Sequence, residues 1–320
     1  MRDALSSLAE RILRDQASLS ERARETRAGR PELIASVVPV EISLSVCAVD
    51  GGLFAYRLHG HDVVAARSVA VNFIYQDSRL ESFDYYPSRS PDMSLSVESA
   101  LDEHEANVFR SLTRLGSELS CAIEALKSYS PALMLMDGSL WTVPSDRPAQ
   151  DSRLAPLYGE VVELYKELYS ACGDKGTLLC GVIKDSRSRK LASSMGFSCS
   201  DTVLCSHMLK KAERTAVFPY FEDKQKEPAG FWEKLRVFYM KPSENDLPLR
   251  VEFIGEEGDV SRVSSLIFSL SSISESFAYP AILIEADMRA AMDRNEAEGL
   301  QADIRALEMR PLRRNSRPFR

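Results

Sequence analysis

A mixed α/β layer fold is predicted, one sheet with helices on both faces and further strands and helices appended. Three observations predict it. Period-2 segments crowd the stretch 41–73. A long helical periodicity then alternates with short, wholly apolar runs at 132–136 and 178–183, the mark of strands covered on both faces. More strand-like and helix-like segments follow. A meander succeeded by αβ crossovers is a mixed sheet.

Residues 1–30 read as a polar, Arg- and Glu-rich helix with a weak apolar stripe through Leu5, Leu8, Ile12 and Leu19. It stops near Gly29-Arg30-Pro31 and is either a solvated arm or a docking helix. In 41–48, Ile42, Leu44, Val46 and Ala48 alternate with Glu41, Ser43, Ser45 and Cys47, a strand. Asp50-Gly51-Gly52 reads as a tight turn into strands at 53–58 and 63–73, and the polar, Pro-bearing 76–93 as a loop. Leu101, Val108, Leu112, Leu115, Leu119, Ala122 and Leu126 predict a helix from about Ser96 to Lys127, broken by Ser130-Pro131. The strand 132–136 ends at Asp137-Gly138-Ser139. After a loop at 144–153, Leu157, Val161, Leu164, Tyr165 and Leu168 make an amphipathic helix. The strand 178–183 ends at Lys184-Asp185-Ser186, with a short helix at about 187–195.

The stretch from about 200 to 247 is poorly readable, with a loop or lid from Phe218 to Trp232. Residues 235–240 and 249–254 look like paired strands, and Val260, Val263, Ile267 and Leu270 mark a helix. The run Ile282–Asp287 leads into a last helix to about 308. The expected organisation is a helical arm at 1–35, the main domain at 36–298 with an insertion at about 200–247, and a basic helix or tail at 299–320.

The charge balance is 40 basic against 47 acidic residues, −7 overall, so no global field attracts a polyanion. A nucleic-acid partner must be held by a local basic patch or through metal ions. No apolar run reaches the ~18–20 residues of a membrane span, and the charged N-terminus has no signal core. A cytoplasmic protein without a membrane partner is expected. The six cysteines form no CxxC pair and have no histidine at ligand spacing, which argues against zinc. Cys47, Cys121 and Cys180 read as core residues in a reducing compartment.

Asp50, Asp137 and Lys184 each close a predicted strand, and in open α/β sheets ligands bind beyond the strands' carboxyl ends. Two carboxylates gathered there need a compensating cation, and Mg²⁺ or Mn²⁺ is the hard ion that suits oxygen ligands. Each cluster also has an ordinary reading as a turn or helix cap. The long helix must supply any third carboxylate. Glu118 flanks its stripe, Glu105 lies on it and Glu124 falls further round, so periodicity alone does not choose among them. Asp287 follows an apolar run and opens a helix. Arg250 and Glu252 share one strand face, as an ion pair or a phosphate contact.

Five segments in register, AVDGG at 48–52, LMLMDGSL at 133–140, GVIKDSRS at 181–188, LRVEF at 249–253 and YPAILIEAD at 279–287, resemble the serial motifs of the NurA nuclease family. The resemblance spans roughly residues 45–290. It implies an RNase H-like fold and a Mn²⁺- or Mg²⁺-dependent DNA nuclease with two ions, 5′→3′ exonuclease and single-strand endonuclease activity. It also implies a homodimer acting with the hexameric HerA ATPase in DNA end resection and repair. The family's helical Glu precedes the second Asp by about five helical turns, which selects Glu118. The implied metal ligands are Asp50, Glu118, Asp137 and Asp287. Lys184 is the implied catalytic cation, and Lys184, Arg250 and Tyr279 are the implied DNA-side residues. In the last motif, Asp287 stands where the family often has His. Two other readings remain open on the sequence: a non-catalytic HerA-binding subunit, and an actin-like ATP phosphotransferase, which the shortness of Gly51-Gly52 and Gly138-Ser139 disfavours.

Overall fold

The computed structural model describes residues 2–221 and 232–306. The chain divides into two compact units, each assembled from two separated stretches: Met1–Ile42 with Gly181–Ala281, and Ser43–Cys180 with Ile282–Arg320. It opens in the first unit with α1 (Arg2–Gly29) and β1 (Ile34–Ser36). The second unit follows with β2 (Ser45–Arg57), β3 (His61–Gln76), β4 (Arg79–Tyr86) and β5 (Ser94–Ser99). Then come α2 (Glu103–Tyr129), β6 (Leu133–Asp137), α3 (Ala155–Lys175) and the first half of β7 (Leu178–Ile183). Back in the first unit lie α4 (Lys190–Ser194), α5 (Asp201–Met208), β8 (Glu213–Thr215) and β9 (Phe218–Pro219). They are followed by β10 (Leu235–Lys241), β11 (Leu249–Ile254) and α6 (Val260–Leu270). The helices α7 (Ala281–Ala290) and α8 (Arg294–Ala306) close the described chain.

In the second unit the strands run in the order β6-β2-β3-β4, with β5 also paired to β3. β6 is parallel to β2, while β2, β4 and β5 are antiparallel to β3, so the sheet is mixed. On the far side of β6, Leu178 of β7 donates its N–H to Ala132 O. α2 covers one face. Asp102 caps it by accepting the N–H of Glu105, and Ser130 ends it in the left-handed region. Its stripe of Leu112, Leu119 and Leu126 is buried, as are Val46, Ala48, Val49, Leu133 and Leu135 in the strands. The opposite face meets the end of α7, where Arg67 donates to the carbonyls of Ala290 and Ala291 and forms a two-pronged ion pair with Glu296.

Several expectations for this unit are corrected. Asp50-Gly51-Gly52 is not a turn: β2 runs through it, paired residue by residue with β3 from Ser45↔Ile74 to Arg57↔Asp62. The glycines answer crowding instead. A Cβ at Gly51 would stand 2.7 Å from Glu118, and one at Gly52 would overlap the Ala290 carbonyl. The expected loop at 76–93 contains β4, and the expected helix start at Ser96 is the strand β5. Both are edge strands with mostly exposed side chains, so neither carries a buried alternation. Asp287 does not open a helix; it lies near the C-terminal end of α7, which starts at Ala281.

In the first unit the order is β1-β8-β10-β11, antiparallel throughout, with β9 on β10. The expected pairing of 235–240 with 249–254 is the β10–β11 ladder. α1 is held by its C-terminal half. Arg27 makes a two-pronged ion pair with Glu213 at 2.6 and 2.7 Å, and Arg22 donates to Gly196 O and stacks over Phe197. Leu19 packs beside Ala23 against Phe197, Leu204 and Met208, while Leu8 and Ile12 are exposed. The unreadable 200–247 region contains α5 and β8 to β10. Part of the expected lid and most of the Arg-rich tail, with Arg310, Arg313, Arg314, Arg317 and Arg320, lie outside the described residues. All six cysteines are free thiols, Cys199 alone being only half-buried. Among the described residues no helix is long and apolar enough to cross a membrane.

Candidate metal centre

The second unit brings the acidic positions together through strand register. β2 and β6 pair in parallel from Val46↔Leu133 to Val49↔Met136. One further step sets Asp137 beside Asp50 on the neighbouring strand, about 5 Å away at the backbone. Asp137 ends β6, as expected, whereas Asp50 sits in the middle of β2. Glu118 comes from α2, whose face over the sheet places it against Gly51. Asp50 is 6% and Glu118 4% exposed, so both carboxyls are withdrawn from water.

Their electrostatics follow from that burial. The Asp50 carboxyl is pushed up to about 8, first by desolvation, then by the negative charges of Asp137 and Glu118, with a smaller push from Asp287. The N–H of Gly51 donates to Asp50 Oδ1 at 2.7 Å and opposes the shift. Glu118 is raised to about 7 by burial, against the pull of Arg114, whose Nη1 stands 2.5 Å from Oε1. Asp137 adds to the push on Glu118. Among the described residues no three His, Cys, Asp or Glu side chains close to ready-made metal-ligand geometry. The donor set nevertheless fits a hard divalent cation: it is all carboxylate oxygen, and burial and mutual repulsion push the Asp50 and Glu118 carboxyls up. Asp287, on α7, is exposed and contributes the weakest of the acidic influences on Asp50.

The three implied DNA-side residues belong to the first unit. Lys184 follows β7 directly, with Nζ 4.7 Å over the ring of Tyr279. The Tyr279 hydroxyl donates to Val182 O at 3.0 Å and its side chain is buried. Arg250 is only 7% exposed. It is paired with Glu252 at 2.7 Å, donates to the Tyr239 hydroxyl and lies over the ring of Tyr220. Of the two readings of Arg250 and Glu252, the structure contains the ion pair. Glu105, the rival to Glu118, accepts from Ser152 Oγ and lies 3.8 Å from Arg153, and Glu124 pairs with Lys127 at the surface.

Sequence reasoning missed Arg114 and Arg67. Arg114 was open to detection, since Arg-x-x-x-Glu puts it on one helix face with Glu118. Arg67 carried no local signal, because its partners lie more than two hundred residues away.

Comparison with solved structures finds the same fold. The NurA nuclease from Sulfolobus solfataricus superposes with a TM-score of 0.64 at 17% identity, covering 96% of this chain and 97% of that one. A NurA bound to dAMP and manganese gives 0.60 at 11% identity, covering 96% and 97%. A NurA with manganese gives 0.58 at 12% identity, covering 93% and 98%. A comparison with curated proteins returns no match. The model of the NurA domain matches residues 44–292, a span that takes in every candidate position from Asp50 to Asp287. This chain belongs to the NurA family.

Proposed function

We propose that this chain is a Mn²⁺- or Mg²⁺-dependent DNA nuclease with 5′→3′ exonuclease and single-strand endonuclease activity. It works as a cytoplasmic homodimer with the hexameric HerA ATPase in DNA end resection and repair. The carrying observation is the buried carboxylate group around Asp50, whose pKa is driven up by burial and by Asp137 and Glu118. Family membership and the solved NurA bound to dAMP and manganese support the reading.

Asp50, Glu118 and Asp137 are the residues that would hold the metal, with Asp287 contributing to a second ion. Bound there, divalent ions supply an activated water and neutralise charge at phosphorus and on the leaving oxygen. The chain's own residues set the stage for this. The Gly51 N–H fixes one oxygen of Asp50. Arg114 keeps Glu118 oriented and favours its ionised form. Lys184 is the cation we assign to the DNA phosphate. Tyr279, stacked beneath its ammonium and anchored to Val182, positions it. Arg250, buried in its ion pair with Glu252 and donating to the Tyr239 hydroxyl, is assigned a structural role rather than a DNA contact.

The test is cleavage of an end-labelled single strand with Mn²⁺, Mg²⁺ or EDTA, with and without HerA. Cleavage that requires the metal and quickens with HerA supports the proposal. A chain that binds HerA and cleaves nothing is the non-catalytic subunit.

A further inference from the structure

The same sheet face that carries Asp50 also carries an aromatic strip. In the ladders, Ala48 stands opposite Val71, and Val71 opposite Tyr85. Val46 stands opposite Phe73, and Phe73 opposite Phe83. Directly opposed residues point the same way, and so do residues two apart on one strand. Phe83, Tyr85 and Asp50 therefore share a face. Tyr85 lies two strands over and two residues back, about 12 Å from Asp50 by strand and residue spacing.

Phe83 is 58% exposed, a large ring presented to solvent on an edge strand. Its centroid is 5.8 Å from that of Tyr85, with the ring planes at 75° in an edge-to-face contact. Two guanidinium groups lie over the Tyr85 ring. Arg89 and Arg289 each stand 6.0 Å from the Tyr85 ring centre. Glu285 organises the group, accepting from the Tyr85 hydroxyl and from Arg289 Nε, each at 2.7 Å. Arg289 is two residues from Asp287 on α7.

An exposed aromatic ring beside guanidinium groups suits one class of ligand: bases that stack, joined by phosphates. We propose that the exposed Phe83 ring, with Tyr85, Arg89 and Arg289 beside it, forms a short track for single-stranded DNA at the edge of the sheet face that carries Asp50. The inference deepens the nuclease reading and rests on it. It assigns sequence-independent contacts, since every base has a face to stack and no base edge is read.

The test measures binding in EDTA, where the metal centre is silent. The full chain is titrated with a fluorescent oligothymidylate and with an abasic strand of equal length. Phe83→Ala and Phe83→Leu, at an exposed position, should each weaken oligothymidylate binding about tenfold and leave the abasic strand unchanged. Leucine keeps apolar area but lacks the ring. Tyr85→Phe, which keeps the ring and loses the hydroxyl, should bind like wild type. Arg89→Ala should weaken both strands and flatten the salt dependence. Wild-type affinity in both Phe83 variants overturns the track, and so does equal loss on both strands. A Phe83 variant that changes the oligomeric state at unchanged affinity assigns the strip to a second copy and also overturns it. If wild type cleaves nothing in Mn²⁺ while the ring-dependent binding holds, the nuclease reading alone falls.

Discussion

Asp50 sets the energetics of the candidate centre. A carboxyl whose folded pKa is raised favours the protonated state in the fold, so its contribution to stability is complete below the unfolded pKa. That contribution is lost as pH rises through the folded value of about 8. The metal-free protein should therefore lose stability between about pH 4 and 8 on this account. Asp50→Asn should raise the metal-free melting temperature at pH 8 by about 2–4 °C and abolish the stabilisation added by Mn²⁺. Differential scanning calorimetry in EDTA and in Mn²⁺ reads both effects; a mutant that melts lower in EDTA contradicts them. The two glycines beside it separate fold from site. Gly52→Ala drives a methyl into the backbone of Ala290 and should cost about 2–3 kcal/mol in urea unfolding. Gly51→Ala meets side-chain atoms, Glu118 at 2.7 Å and the Ser68 hydroxyl at 3.0 Å, and no backbone among its nearest neighbours, so it should displace the Glu118 carboxyl and impair Mn²⁺ stabilisation more than folding. Equal stability losses in the two mutants count against this distinction. The Asp-Gly-Gly string was visible in the sequence, but its meaning was not. Turn chemistry and close approach both select glycine, and only the partners, Glu118 and Ala290, tell them apart.

At the level of elements, what could be read tracked burial. The strands at 133–137 and 178–183 and the helices α2, α3 and α6 bury a periodic apolar set and stood out. β4 and β5, with mostly exposed side chains, gave no such pattern. Two anchoring contacts between elements make predictions. Arg67 ties β3 to the end of α7 and the start of α8, and only 9% of it is exposed. Arg67→Ala leaves the Ala290 and Ala291 carbonyls without this donor, and should lower stability by about 2–3 kcal/mol. An unchanged urea midpoint would show that α7 is held otherwise. α1 depends on Arg27 and Glu213. The hydrogen bond from Arg27 holds the Glu213 carboxyl below its usual range. A depressed acid contributes its stability above the unfolded pKa and loses it as pH falls through the folded one. Hydrogen exchange in α1 should accordingly stay slow at neutral pH and quicken as the solution is acidified below about pH 4. Arg27→Ala should quicken it already at pH 7, and α1 protection that ignores both changes refutes this anchoring.

Across the whole molecule, the order of motifs was legible and their assembly was not. Each unit joins stretches far apart in sequence, and residues 181–281 interrupt the unit that holds Asp50, Glu118, Asp137 and Asp287. Local periodicity cannot report such returns, which rest on pairings like Arg67 with Glu296. The gathering of Asp50 and Asp137 was inferable because parallel strands end together, although Asp50 turned out to lie within its strand rather than at its end. Glu118 could not be chosen on periodicity; its place against Gly51 is a property of the folded unit. The net charge of −7 does not contradict such a centre, since a metal cluster is itself built from acids. The most direct test of that centre is the Mn²⁺-dependent cleavage rate of a labelled single strand by wild type, Asp50→Asn and Asp137→Asn. Circular dichroism and sedimentation serve to confirm the fold and assembly of each protein. The account predicts that both substitutions cut the rate at least about a thousandfold while the protein stays folded. Near-wild-type cleavage by both mutants would contradict it.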